Sequence, residues 1–124
     1  TNDIDLKKLA KIAAKYGQAV SSINTIQAEI ITKAGKQALP GGSRARSGVC
    51  GASIKWAGLD MVKRLKKIRN ENNMDWLIIG VGGITEPQDY FEYKDRGADC
   101  VMSATGAMWN PYLAQKIKSN KISL

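Results

Sequence analysis

The sequence contains no histidine, and this absence removes several classes of functional site. Metal centres built on imidazole and catalytic triads that use histidine as a base are both excluded, and no metal site is predicted. The two cysteines, Cys50 and Cys100, are too few for a disulfide framework and do not form a CxxC pair. This sparse cysteine content predicts a reducing compartment, and we expect the cytoplasm.

Other shortages narrow the class of protein further. No apolar run approaches the roughly 18 residues of a membrane span, and no secretory leader is predicted at the start of the sequence. Aromatic residues make up 6% of the chain and do not alternate with basic ones, so a base-stacking surface for nucleic acid is not indicated. The net charge of +8 is spread over helical segments, which we interpret as solvated helix faces.

The first half of the chain predicts two helices around a small-residue strand. A helix is expected over Asp3 to Tyr16, from apolar residues at helical spacing, and a strand in "QAVSSINT", which ends at Asn24 and Thr25. The segment from Gln27 to Gly51 is expected to be a long irregular loop, with a short strand in "AEIIT". A second amphipathic helix is predicted over Ile54 to Asn72.

The second half of the chain predicts apolar strands that alternate with helices. The predicted elements are a strand over Trp76 to Val81, a helix over Glu86 to Asp95, a strand in "CVMSAT" and a helix over Asn110 to Ser119. Thr85 and Asn110 are the predicted N-caps of the two helices. Cys100 begins an apolar strand and is expected in the core.

Alternating strands and helices predict parallel βα units of the α/β class. Three parallel strands leave two open edges and cannot close a barrel. We therefore expect the chain to be part of a larger unit. It would be completed by a missing N-terminal half of a barrel or by self-association.

Small or polar residues follow each predicted strand. The stretches "GVGG" and "SATG" allow the backbone to approach a ligand closely, and two consecutive turns of this kind fit a phosphate site. Asn24 offers both a donor and an acceptor to a flat heterocycle with amide edges. The alternatives are that the glycines form a plain tight turn and that Asn24 and Thr25 only cap a turn.

Three ordered stretches carry a resemblance to a known family. They are "SSINT", "SGVCGASIKWAGLDMVKRLKKI" and "LIIGVGGITEPQDYFEYKDRGADCVMSAT", and together they resemble the C-terminal part of dihydroorotate dehydrogenase. That family is an FMN-containing (β/α)8 TIM barrel. The resemblance implies that the chain supplies about strands six to eight with their flanking helices, and that the complete enzyme oxidises dihydroorotate to orotate in pyrimidine synthesis.

The resemblance also assigns roles to individual residues. Asn24 and Thr25 match the pair that binds the orotate ring, and Ile23 matches a backbone contact to the flavin. The residues implied in FMN binding are Gly51, beside the flavin, and Gly82, Gly83, Ala104 and Thr105, around the phosphate. The family commonly has glycine where Ala104 stands.

The family's catalytic base is a cysteine or serine on a loop before the fifth strand, outside the matching stretches. No catalytic residue is therefore assigned here, and Cys50 is not interpreted as the base. Related FMN barrels remain as alternatives, namely the C-terminal domain of dihydropyrimidine dehydrogenase and, with a weaker motif fit, a tRNA dihydrouridine synthase. A different class of alternative is a non-catalytic phosphate- or flavin-binding fragment that needs a partner chain.

Overall fold

The computed structural model describes residues 2–42 and 44–122. Helices and strands alternate along most of this length. In chain order the elements are α1 (Asp3–Tyr16), β1 (Ala19–Ser22), β2 (Ile26–Glu29), β3 (Arg46–Val49), a 3-10 turn (Ala52–Ile54), α2 (Lys55–Glu71), β4 (Leu77–Val81), α3 (Pro87–Arg96), β5 (Cys100–Met102), α4 (Thr105–Trp109) and α5 (Leu113–Ile122). The expected α/β class and the predicted helices α1, α2 and α3 are confirmed.

Three strands form a parallel sheet in the order β1, β4, β5. Ser22 is paired with Gly80, and Gly80 is paired with Val101, so the three strands end at the same edge of the sheet. Parallel pairing requires a crossover between strands, and α2 and α3 provide the helical parts of these crossovers. The sequence-based expectation of parallel βα units is therefore correct.

The helices cover one face of this sheet and form the core with it. Val62, Leu65 and Ile68 of α2 recur at helical spacing and are buried against Ile78 of β4. The buried core cluster also contains Leu6, Ala10, Leu59, Trp76, Ile84, Tyr93 and Ala98. The helix layer thus fixes the sheet on one side and leaves its strand ends free to build a site.

The opposite face of the sheet is exposed, and Cys100 lies on it. The prediction that Cys100 belongs to the core is wrong, because the residue is exposed. Side chains alternate along a strand, so Val101 faces the helices while Cys100 and Met102 face the other way. Leu77 is 50% exposed and Met102 is 55% exposed on this face. No described helix packs against it.

The segment between β1 and α2 is more regular than predicted. β2 and β3 form an antiparallel pair, with Ile26 opposite Val49 and Glu29 opposite Arg46. The strand predicted in "AEIIT" is confirmed only for its first two residues, which end β2, and β2 begins earlier than predicted. The two strands are separated in the sequence, and no local pattern specifies that one pairs with the other.

Helix starts also differ from the predicted ones. Glu86, and not Thr85, is the N-cap of α3, and Pro87 is in its first turn. The backbone carbonyl of Asn110, and not its side chain, accepts the N–H of Leu113 (3.0 Å), so Asn110 begins a turn, and α5 starts at Leu113. The residues predicted to end the last strand instead lead into the short helix α4, which was not predicted.

None of the described helices combines the length and apolarity needed to cross a membrane.

Candidate functional site

A cleft of about 190 Å³ lies at the carboxyl ends of the three parallel strands. It brings together seven of the eight residues assigned from the sequence, namely Asn24, Thr25, Gly51, Gly82, Gly83, Ala104 and Thr105. The eighth, Ile23, lies beside it, and its backbone N–H donates to the carbonyl of Val81 (3.0 Å). Residues distant in the sequence meet here because parallel strands end at one edge of the sheet.

The polar pair after β1 forms one wall of the cleft. Asn24 and Thr25 are both exposed. A Cβ atom added to Gly48 would lie 2.6 Å from Thr25 Oγ1, so β3 passes directly over the threonine side chain. The hairpin that the sequence did not predict therefore helps to position Thr25 in the wall.

The glycine pair after β4 forms the floor of the cleft. Gly82 and Gly83 have φ angles of +123° and +69°, which L side chains rarely adopt. A Cβ atom on Gly83 would lie 2.7 Å from Lys55 Cβ and 2.9 Å from Lys55 N. Gly83 is therefore required both by the turn and by the close approach of the start of α2.

The third wall is tied to the floor by side-chain contacts. Ser103 Oγ donates to the carbonyl of Ile84 at 2.6 Å, which joins the turn after β5 to the turn after β4. Thr105 Oγ1 lies 3.6 Å from the sulfur of Cys50, which joins the same turn to the segment after β3. These two contacts thus hold the segments after β3, β4 and β5 together around the cleft.

A buried carboxylate organises the ends of two helices beneath the cleft. Asp89, 6% exposed, accepts hydrogen bonds from Lys55 Nζ (2.6 Å), Thr85 N (2.8 Å) and Glu86 N (2.9 Å). Burial alone would raise the pKa of Asp89, but the hydrogen bonds from Lys55, Thr85 and Glu86 outweigh it, and the pKa lies below its usual value. The same bond and a contact with Glu92 (3.0 Å) raise the pKa of Lys55.

These contacts determine which donors remain for a ligand. Glu86 and Asp89 form a reciprocal capping box, so backbone N–H groups at the start of α3 are already paired. The Lys55 ammonium is likewise bound to Asp89 and Glu92. A ligand in the cleft would therefore be met by the turns themselves rather than by the start of α3.

The lining of the cleft carries no charged side chain among the described residues. It offers backbone groups, the polar side chains of Asn24, Thr25 and Thr105, and the apolar surfaces of Val81 and Met102. Backbone N–H groups in such turns bind anions well, and none of the described lining residues has a carboxylate that would repel one. Asp89 and Tyr93, which support this lining from below, were missed because no motif marks them.

Comparison with known proteins identifies the family. The family model described as dihydroorotate dehydrogenase matches residues 1–123. The chain belongs to the dihydroorotate dehydrogenase family. The resemblance seen in the sequence is thereby confirmed.

Relatives of the chain within this family are considerably longer than the chain. Dihydroorotate dehydrogenase of Dictyostelium discoideum is 38% identical over 120 residues, which cover 94% of the chain and 32% of that protein. The catalytic subunit of dihydroorotate dehydrogenase B (NAD(+)) of Staphylococcus carnosus is 30% identical over 116 residues, or 94% of the chain and 36% of that subunit. The chain thus spans about a third of the length of these relatives.

A solved structure shows the same fold. The chain superposes on the crystal structure of dihydroorotate dehydrogenase from Eimeria tenella in complex with ferulenol with a TM-score of 0.72 and 19% sequence identity. The match covers 98% of the chain and 31% of that structure. The arrangement of strands and helices is therefore the arrangement found in part of a dihydroorotate dehydrogenase.

The Asp89 network predicts a measurable acid sensitivity of the fold. The Asp89→Asn substitution should lower the free energy of unfolding at pH 7 by about 1.5–3 kcal/mol, the usual value of hydrogen bonds to a charged group. The folded-state pKa lies below the unfolded value of about 3.9. The stabilisation is therefore complete above that value and is lost as the pH falls through the folded-state pKa.

Urea unfolding between about pH 7 and pH 2 measures this effect. The free energy of unfolding of Asp89→Asn should fall less over the acid range than that of the unchanged chain. Asp95→Asn, an exposed aspartate on the same helix, is the matched control and should stay within about 0.5 kcal/mol. Equal effects of the two substitutions would show that the Asp89 contacts do not stabilise the fold.

Proposed function

We propose that the chain forms the FMN- and orotate-binding C-terminal part of a dihydroorotate dehydrogenase, equivalent to strands six to eight of a (β/α)8 barrel. The reaction would be the oxidation of dihydroorotate to orotate in de novo pyrimidine synthesis. The observation that carries this proposal is the single cleft in which the ends of β1, β4 and β5 meet. Membership of the family supports the same reaction.

The cleft has the properties expected of a phosphate cradle. Gly82, Gly83, Ala104 and Thr105 place two consecutive turns side by side, and a Cβ atom on Gly83 could not be accommodated. The volume of about 190 Å³ is below the roughly 300–1,000 Å³ of a typical ligand pocket. We propose that these residues enclose the phosphate end of FMN, with Gly51 and the backbone of Ile23 beside the flavin.

The residues after β1 are proposed to bind the pyrimidine. Asn24 and Thr25 are on the same cleft as the proposed phosphate residues, and the Asn24 amide can pair with a ring that has both N–H and C=O groups. FMN, when bound, supplies the redox chemistry as the hydride acceptor. The chain's own contribution is to bind and orient the two molecules.

The proposal places the catalytic base outside this chain. The cleft is lined by Cys50, whose sulfur contacts Thr105, within the region assigned to the cofactor rather than to the pyrimidine. The chain spans about a third of the length of its relatives. We therefore propose that the base lies in the remaining part of a complete barrel.

We also propose that the protein works in a reducing compartment such as the cytoplasm. This proposal is supported by Cys50 and Cys100, which are both free cysteines.

The phosphate assignment predicts a strong effect of negative charge at Ala104. Ala104 is exposed on the cleft, so Ala104→Asp adds charge without burying it. Two unit charges about 8 Å apart repel by about 2 kcal/mol at an effective dielectric constant of 20. FMN should therefore bind at least about tenfold more weakly to the complete protein that carries this sequence.

Flavin fluorescence titration measures this affinity. Ala104→Ser, a neutral change at the same position, is the control and should bind FMN within about threefold of the unchanged protein. If Ala104→Asp binds FMN as tightly as Ala104→Ser, the phosphate does not lie at this turn.

The pyrimidine assignment predicts a selective loss of substrate binding at Asn24. Asn24→Ala should raise the KM for dihydroorotate by about tenfold or more, because hydrogen bonds to a charged or polar ligand are lost. The FMN content should stay near that of the unchanged protein. Asn70→Ala, at an exposed position on the outside of α2, is the control and should change neither quantity. A loss of flavin with an unchanged KM would place Asn24 at the cofactor.

The open sheet predicts that the isolated chain seeks a partner. β1 and β5 are the edges of the sheet, and Leu77 and Met102 expose apolar surface on its uncovered face. We propose that the missing N-terminal barrel half covers these surfaces, and that without it the chain self-associates. Light scattering should give a mass above that of one chain, and dihydroorotate oxidation with an artificial acceptor should be near background. A monomer with a normal turnover rate would contradict the proposed position of the base.

A further inference from the structure

We infer that Tyr93 is a positioning residue for the proposed phosphate cradle. Its hydroxyl donates a hydrogen bond to the carbonyl oxygen of Gly82 at 2.7 Å, and this bond fixes the direction in which the next backbone N–H points. The inference rests on the proposed function, because it gives Tyr93 a role in binding the phosphate of FMN. The residue touches neither the cofactor nor the substrate in this assignment.

The position of Tyr93 is unusually well defined by its surroundings. The side chain is fully buried between the sheet and the helices. A Cβ atom on Gly58 of α2 would overlap the Tyr93 hydroxyl, and one on Gly80 of β4 would overlap its ring. The Tyr93 side chain therefore fills the space left by a glycine of α2 and a glycine of β4. This close packing restricts the ring and keeps its hydroxyl beneath the turn after β4.

The planarity of the peptide bond carries this constraint to the cleft. In a trans peptide the carbonyl and the following N–H point in opposite directions. The Gly82 carbonyl points into the core toward Tyr93, and the Gly83 N–H therefore points away from the core, on the side where Gly83 lines the cleft. Among the described residues, no protein group accepts the Gly83 N–H. A phosphate oxygen is an acceptor of the right kind for it.

The hydroxyl is suited to act as a permanent donor. Burial, and then the nearby charge of Asp89, raise the pKa of Tyr93 to about 12, so the proton is retained at neutral pH. The second contact of the hydroxyl, to the carbonyl of Val81, is longer at 3.3 Å. Phenylalanine would fill nearly the same space without the bond. Without it the two glycines, which have the widest choice of backbone angles, are free to rotate their shared peptide.

The test compares two flavins that differ only in the phosphate. Dissociation constants of FMN and of riboflavin are measured by fluorescence titration for the complete protein that carries this sequence, unchanged and as Tyr93→Phe. We expect the preference for FMN over riboflavin to fall by about threefold to tenfold in Tyr93→Phe, the range for one lost hydrogen bond. Riboflavin affinity should change by less than about twofold.

A matched control separates positioning from stability. Tyr16→Phe makes the same chemical change on an exposed tyrosine next to the amino end of β1 and should leave the FMN preference unchanged. Only the folded protein binds either flavin. A variant that is merely less stable therefore loses apparent affinity for FMN and for riboflavin by the same factor. Equal weakening of the two ligands, or an unchanged preference, would overturn the role of Tyr93.

A spectroscopic measurement completes the test, and the riboflavin comparison distinguishes failure of the Tyr93 role from failure of the proposed function. At saturating FMN, the ³¹P NMR shift of the bound phosphate should move in Tyr93→Phe while the visible flavin spectrum stays the same. An unmoved ³¹P signal would overturn the positioning role. If the unchanged protein binds riboflavin as tightly as FMN, the phosphate cradle itself is wrong, and both proposals fail.

Discussion

One carboxylate, that of Asp89, holds together the segments on which the cleft depends. It binds the ammonium group of Lys55 at the start of α2 and the backbone of Thr85 and Glu86 ahead of α3. A buried carboxylate is costly unless its oxygens are paired, and these partners pair it with both helices and with the turn after β4. The floor of the cleft is therefore placed by a polar network and not by apolar packing alone.

The remaining geometry follows from where the chain lacks side chains. Gly83 allows the backbone of Lys55 to approach the turn, and Gly48 allows β3 to pass over Thr25. Gly58 and Gly80 leave room for the ring of Tyr93, whose hydroxyl then reaches the turn from beneath. In each place a missing Cβ atom lets one segment approach another at close range, and the glycine turn after β4 brings backbone groups to the surface of the cleft. Such a surface suits a phosphate, which is recognised by N–H groups more than by particular side chains.

The proposed place of the chain in a barrel would account for the exposed apolar face of the sheet. In a closed barrel the inward-facing side chains of all strands pack together in layers. Leu77 and Met102 are exposed on the face that would line the barrel interior under this proposal, and the chain spans about a third of the length of its relatives. At about 190 Å³ the cleft would likewise enclose only part of the FMN molecule that we propose as its ligand. Both features are what we expect if the chain contributes strand ends to a site that the remaining strands of a barrel complete.

The sequence by itself determined the elements with strong local signals and the residues at the strand ends. The helical spacing of α2 and the apolar run of β4 are properties of consecutive residues, and parallel strands bring their ends together whatever the loops do. Only the tertiary structure decided the β2–β3 pairing, the exposure of Cys100 and the contacts of Asp89 and Tyr93. Each of these depends on a partner distant in the chain or on which face another layer covers, and no local pattern encodes that choice.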